Sequence, residues 1–427
     1  KISQGVQKTW VFFNFRGMNH NLIPAMIQNL YFFIVEYDYK FCKYRSLDLH
    51  LREEGEECDC HNNQIGKFIS TFYAGAQHMF LMSHAQRNII TERFPFLTVN
   101  TSVLSSAFDV KTLEQIDKLH NERLKNGHNG KHAVVDGNSW IKGVEETSEY
   151  LTSKNIDFDV LGGLSHSDLL RTLSQYECLT FMPLGADTCP RLVIEAKLLG
   201  LDLELNENVQ HAEEEWFNSS REEIEMYLLD SHNRFWDRIE AHVNRDITLS
   251  GYTQAYNVME SSYPWRESIK SLLGFCDEVV VLDGGSNDGT YEELLSWSEE
   301  EPKLVVNQLK RDWSNKHFAL FNGQQKAAAR TLCTGDWCWQ VDIDEVVHEE
   351  DYSKVKPLIR QMPKAVKIIS LPVTEYWGGS EKVRADINPW KGRISKNDPH
   401  ITHDVNAQHR RYDEEGNLYS IGSDGDV

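Results

Sequence analysis

The chain has 427 residues, which excludes a single small module and allows two or three domains with full cores. Its composition, 40% hydrophobic, 11% aromatic and 26% charged, excludes a largely disordered polypeptide. A formal charge of -21 and the lack of a long basic run exclude a general nucleic-acid-binding surface, because neutralising phosphates takes clustered Lys and Arg; no nucleic acid polymer is expected as a partner.

From its start the chain alternates strand-like and helix-like runs: TWVFFNF, NLIPAMIQNL, YFFIVEYDY, and a long helix-like stretch GKFISTFYAGAQHMFLMSHAQRNIITERF. Strands interleaved with amphipathic helices predict an α/β layer on a parallel sheet, a shortened Rossmann-like lobe over residues 1–125. Within it, Cys42, His50, Cys58, Cys60 and His61 fall in one charged stretch. These are zinc-ligand types, but the C-x-C spacing is not the common C-x2-C knuckle, and buried or merely local cysteines are the preferred reading. The eight cysteines as a set read as reduced thiols rather than a disulfide framework.

After the helical LEQIDKLHNERL and the polar NGHNGK, a second α/β cycle runs through HAVVDG, FDVLGGLS, SDLLRTLSQY, CLTFMPLG and RLVIEAKLLG. An acidic, Trp-rich stretch then reads as helices that close this lobe, residues 126–243. A third cycle, residues 244–427, opens with ITLSGYT, PWRESIKSLLGF and EVVVLDGGSNDGT; it ends at GSDGDV without a closing helix, so this domain is read as incomplete at its C-terminus. No run reaches the roughly 18 apolar residues of a membrane span, so no transmembrane segment and a cytoplasmic location are expected.

EVVVLDGGSNDGT is a buried strand that delivers Asp283 and then glycines at its carboxyl end, where open α/β sheets bind ligands. DWCWQVDIDEVV delivers Asp342 and Asp344 with one residue between them, which in extended structure points both carboxylates the same way. Two such carboxylates are costly without a cation between them, and Mn2+ or Mg2+ is typically held by one or two carboxylates plus substrate phosphates.

With these motifs in hand, residues from about 246 onward resemble the family 2 glycosyltransferases of the GT-A fold, in VVVLDGGSNDGT, in QQKAAARTLCTGDWCWQVDIDEV, and in their order. The resemblance implies that Asp283 contacts the nucleotide, that Asp344 and Asp342 hold the metal and diphosphate, that Arg330, at the position of the arginine preceding the metal-binding strand, belongs to the nucleotide-sugar site, and that Lys326 contacts the diphosphate. It also implies a carboxylate base for an inverting transfer. WKGRISKNDPHITHDV maps that base onto Asp404, with Asp386, Glu375 and Asp424 as rivals, and offers His403 as a further metal or diphosphate ligand. Tyr376, Trp377 and Trp390 read as core aromatics, with stacking on a sugar face as the alternative.

FMPLGADTCPRLVIEAKLLGL resembles the donor lobe of family 4 glycosyltransferases of the GT-B fold, whose paired acids would here be Asp187 and Glu195; NSWIKGVEE places Lys142 where a diphosphate lysine sits, and Gly137 stands where an arginine is usual. The combined expectation is two Rossmann-like lobes, a GT-B-like unit, followed by a GT-A domain. Such a protein would move a sugar from a nucleotide-sugar donor to a glycan or lipid-linked acceptor, in surface polysaccharide or glycoconjugate synthesis, with membrane association through that acceptor left open. The N-terminal unit would be a second transferase or a degenerate scaffold. The contrary readings are a carbohydrate-binding or assembly protein without turnover and a nucleotidyltransferase; SGYTQAYNVMESS lacks the basic glycine-rich loop expected of the second.

Overall fold

The computed structural model describes residues 8–15, 17–137, 139–311, 318–403, 409–412 and 418–419, with the side chains of 318–320, 409–412 and 418–419 excepted. The chain divides into two units, Lys1–Val243 and Asn244–Val427. Both are α/β with parallel sheets, as expected of the class.

The first unit contains two parallel sheets. Strands β1 (Thr9–Phe13), β2 (Tyr31–Glu36), β3 (Met79–Leu81) and β4 (Thr101–Val103) pair in sequential order. Strands β5 (His132–Val135), β6 (Phe158–Leu161), β7 (Cys178–Phe181) and β8 (Asp202–Leu205) pair in the order β6-β5-β7-β8. Strand β2 is buried along its whole length, which is why it reads as an unbroken apolar run: helices cover both faces of a parallel sheet.

The long helix-like stretch after β2 is three elements instead: a helix Gln64–Gly75, strand β3, and a helix His84–Arg93. The break has local causes. The first helix ends where Ala76 turns extended (φ -69°, ψ 144°), Gly75 just before it being packed so closely that a Cβ would stand 2.8 Å from Ile27 Cγ1, and Ser83, whose side chain accepts from the Gln86 N–H at 3.1 Å, starts the next. The helix Ser231–Val243 runs back to the first sheet, where the Tyr31 hydroxyl donates to the His242 carbonyl at 3.0 Å and Phe235 packs on Phe80 at 4.9 Å between ring centres.

The second unit is built on β9 (Leu249–Ala255), β10 (Glu278–Asp283), β11 (Leu304–Gln308), β12 (Trp337–Gln340), β13 (Ile368–Pro372) and β14 (Trp390–Lys396), in the order β11-β10-β9-β12-β14-β13. The first four in that order are parallel; β14 joins β12 antiparallel and β13 closes the edge. A small antiparallel sheet, β15 (Ile401–His403), β16 (His409–Tyr412) and β17 (Leu418–Tyr419), follows. The eight cysteines of the chain are buried and unpaired. Among the described residues, no helix is long and apolar enough to cross a membrane.

Gly274, which caps the helix Trp265–Leu273, has an ordinary φ of -66°, so its role is steric: a Cβ there would meet the Tyr352 ring at 2.3 Å. Gly274→Ala should therefore lower stability by roughly 1–3 kcal/mol through overpacking, and Tyr352→Ala should relieve that effect in the double variant. Chemical denaturation of the four proteins checks this; additive losses would rule out the steric account.

Candidate active sites at the strand ends

In the second sheet of the first unit the strand order reverses between β5 and β7, and loops leaving such a switch point open a crevice at the carboxyl ends. Lys142 follows β5 and Asp187 follows β7, and they meet there, Lys142 Nζ 2.9 Å from Asp187 Oδ2. Gly143 is required by the approach of these two loops: its φ is +60° and a Cβ would stand 2.5 Å from the Met182 carbonyl oxygen. Gly137 lies under the lysine, a Cβ there falling 3.3 Å from Lys142 Cγ. The cleft beside this pair has a volume of about 800 Å³ and is lined by Tyr37, Tyr44 and Arg45 from the first lobe and by Trp140 and Asp187 from the second.

Glu195 has other partners. It is buried on the helix Arg191–Leu199, with His166 Nε2 at 2.9 Å and Arg191 Nη2 at 3.8 Å. Burial pushes its carboxyl up, and His166 offsets part of that rise. The sequence pattern paired Glu195 with Asp187 and did not reveal His166, which begins the preceding helix His166–Leu173.

In the second unit the switch falls between β9 and β12. Asp283, at the end of β10, is fully buried, and its Oδ1 accepts from the Gly285 N–H (2.9 Å), the Ser286 N–H (3.0 Å) and Gln308 Nε2 (2.9 Å), while Oδ2 accepts from the Ser286 hydroxyl at 2.5 Å. Gly285 has φ +87°, and a Cβ on Gly284 would collide with Arg311 Nε at 2.6 Å. Arg311 lies over the Tyr256 ring at 4.7 Å, so the β10 turn and the β9 loop enclose a cationic, aromatic corner that no motif announced.

Asp342 and Asp344 stand on a turn: β12 ends at Gln340, and the Glu345 N–H donates to the Asp342 carbonyl at 2.9 Å. The alternation expected of extended structure therefore does not operate here. Asp342 is paired with the buried Lys326, accepts from Gln340 Nε2 at 3.1 Å, and has Arg393 Nη2 at 3.7 Å; Arg393 also pairs with Glu345 and donates to Gln340. Burial opposes the charge on Asp342, but Lys326 and Arg393 outweigh it and hold the carboxyl below its ordinary range. Burial pushes Glu345 up, with Arg393 working against it. Asp344 is exposed and, among the described residues, makes no ion pair or hydrogen bond.

The remaining predicted residues are placed differently. Arg330 is buried and braces β14, donating to the Ser395 hydroxyl (3.3 Å), the Lys396 carbonyl and Asn397 Oδ1 (3.5 Å). His403 is buried with its Nε2 2.7 Å from the Tyr252 hydroxyl, and among the described residues it does not converge with the Asp342 and Asp344 carboxylates as a ligand set. Asp404 and Asp424 lie outside the described residues. Glu375 has Arg384 and Lys391 at 3.8 and 3.9 Å, and Asp386 has Arg384 at 3.0 Å. Tyr376, Trp377 and Trp390 are 61%, 67% and 58% exposed, so the core reading of these aromatics is wrong.

Residues 255–410 match the model of the family described as Glycosyl transferase family 2. A 101-residue stretch is 28% identical to a dolichyl-phosphate beta-glucosyltransferase of Dictyostelium discoideum, covering 23% of this chain and 29% of that protein. The chain therefore spans less than a third of the length of that relative. Among solved structures, the mannosyltransferase PcManGT from Pyrobaculum calidifontis, in complex with GDP-Man and Mn2+, aligns with a TM-score of 0.24 at 17% identity, covering 36% of this chain and 47% of its own. Sucrose-phosphate synthase from Thermosynechococcus elongatus aligns with a TM-score of 0.32 at 12% identity, covering 48% and 60%.

The pairing of Arg393 with Glu345 makes a measurable demand on pH. Arg393→Met should cost roughly 3 kcal/mol at neutral pH, because it strands a part-buried carboxylate. A carboxyl whose pKa is raised by burial takes up a proton early as pH falls, and once neutral it no longer needs the guanidinium, so the loss should shrink toward acid pH. Denaturation of wild type and variant at several pH values tests this; a loss independent of pH would show that Arg393 acts by packing alone.

Proposed function

We propose that the second unit transfers a sugar from a nucleotide-sugar donor to an acceptor hydroxyl, the acceptor being a glycan or a lipid-linked saccharide. The observation that carries this reading is the gathering of Asp283, Arg311, Asp342, Asp344, Lys326 and Arg393 around the carboxyl ends of β10, β9 and β12, within a stretch that matches the family 2 model. Asp283 holds the β10 turn in the shape that receives the nucleoside, and Arg311 and Tyr256 flank it. Lys326 and Arg393, now paired with Asp342 and Glu345, are the cations a diphosphate would attract.

The donor set suits a hard divalent cation such as Mn2+ or Mg2+, since carboxylates from Asp342 and Asp344 are the available ligands and phosphate oxygens complete such sites. When bound, that ion stabilises charge on the departing nucleoside diphosphate. An inverting transfer also needs a carboxylate to take the acceptor's proton. Arg384 hydrogen-bonds Asp386 and holds its carboxyl below the ordinary range, which makes it a poor base, and Asp404 is the proposed one. The exposed Tyr376, Trp377 and Trp390 offer apolar ring faces to an acceptor sugar.

A second reading concerns the first unit, where the Lys142–Asp187 pair at the β5/β7 switch favours a second donor-binding site, active or retained as a scaffold. The two sites are separable by assaying divalent-cation-dependent donor hydrolysis and transfer with UDP-, GDP-, dTDP- and CMP-sugars. Asp344→Ala should lower turnover by about 10²–10³-fold if it stabilises transition-state charge, leaving Lys142→Ala near wild type. Loss confined to Lys142→Ala would move the activity to the first unit, and no turnover with any donor would favour a carbohydrate-binding protein.

A further inference from the structure

Four side chains of one stretch of the first unit, close in space, are not used by either site. Cys42 lies in the loop after β2, His50 is on the helix Leu47–Glu54, and Cys58 and Cys60 lead into a short turn, Cys60–Asn62. All four are buried, at 2%, 6%, 7% and 2% exposure, and their ligand atoms lie within 4.8 Å of one another. His50 Nδ1 is 3.6 Å from Cys42 Sγ and 3.5 Å from Cys60 Sγ. Zinc with Zn–S near 2.3 Å and Zn–N near 2.05 Å in a tetrahedron has S···N edges of roughly 3.6 Å. We propose that Cys42, His50, Cys58 and Cys60 form a structural Zn2+ site.

The surroundings are those of a built site rather than of thiols that share a core. The loop that presents Cys42 turns sharply, with the Arg45 N–H donating to the Cys42 carbonyl at 2.9 Å and Arg45 at φ +59°. A non-glycine residue in that region persists where its surroundings fix it, and Arg45 is tied by its guanidinium to Asp38. Ser46 then caps the helix that carries His50, its hydroxyl accepting from the Leu49 N–H at 3.2 Å. On the other side, a Cβ on Gly66 would fall 1.8 Å from the Cys60 carbonyl oxygen, so the helix Gln64–Gly75 is pressed against the Cys58–Cys60 turn.

The C-x-C spacing that argued against zinc in the sequence is no obstacle, because the Cys58 and Cys60 sulfurs lie within 4.8 Å of each other and of the ligand atoms of Cys42 and His50. Such a site would also order one wall of the cleft in the first unit. The helix of His50 carries Asp48, whose Oδ2 accepts from the Ala186 N–H at 2.7 Å next to Asp187, and Tyr44 and Arg45 of the Cys42 loop line the same cleft.

The test is metal content and spectroscopy on the full chain. Protein produced with added Zn2+ and passed through a desalting column should carry one zinc per chain by mass spectrometry, and the Cys58→Ser/Cys60→Ser double variant should lose it while Cys276→Ser keeps it. Because the double variant can misfold, wild type is also reduced, stripped with chelator and given Co2+ alone. Strong thiolate-to-cobalt charge transfer and intense tetrahedral bands in the visible are expected, whereas binding only at carboxylates gives the weak spectrum of octahedral cobalt. Wild type without zinc and with only the weak cobalt spectrum overturns the proposal, as does a disulfide among Cys42, Cys58 and Cys60 in freshly isolated protein. Neither readout depends on transferase activity, so the outcome stands apart from the function proposed above.

Discussion

The second unit depends on one constraint of parallel sheets: every parallel strand delivers its chain at the same edge. With β11, β10, β9 and β12 side by side and parallel, the residues after β9, β10 and β12 arrive together although they are far apart in sequence. This brings Asp283, Tyr256, Arg311 and the 342–345 turn to one edge without any of them being neighbours in the chain. The antiparallel β14 then adds Arg393 from the opposite direction, a placement that a purely parallel strand could not supply.

The charge balance at that edge follows from burial. Carboxylates withdrawn from water need cations, and Asp342 and Glu345 share Lys326 and Arg393 between them. Under the proposed function, a diphosphate bound there would exchange places with these carboxylates as the partner of the two cations. Asp344, exposed and without an ion pair or hydrogen bond among the described residues, is the acid of the 342–345 turn that neither cation neutralises.

The elements legible in the sequence were those with a local cause. Strands β2 and β10 are buried on both faces and therefore read as unbroken apolar runs, and Asp283 was visible because a strand end followed by glycines has few alternatives. What the sequence hid was set by distant partners. The turn to extended backbone at Ala76, after a Gly75 pressed on Ile27, splits a stretch that periodicity joins into one helix. The turn closed by Glu345 cancels the strand alternation that placed Asp342 and Asp344 together. Arg330 carries the right charge in the right order along the chain, yet Ser395 and Lys396 claim it. The convergence of Cys42 and His50 with Cys58 and Cys60 depends on a loop, a helix and a turn meeting, which spacing within any one of them does not encode.

The lateness of Arg393 also matters while the protein is being made. It lies 48 residues beyond Glu345, and a ribosome adding roughly 5–20 residues per second needs several seconds to cover that interval. During that time the nascent unit can form β9, β10 and β12 but holds Glu345 without its guanidinium. Completion of the β13–β14 pair is thus the step that gives Glu345 its guanidinium, and a chain stalled or cut before β14 would emerge with that carboxylate unpaired and exposed to quality control.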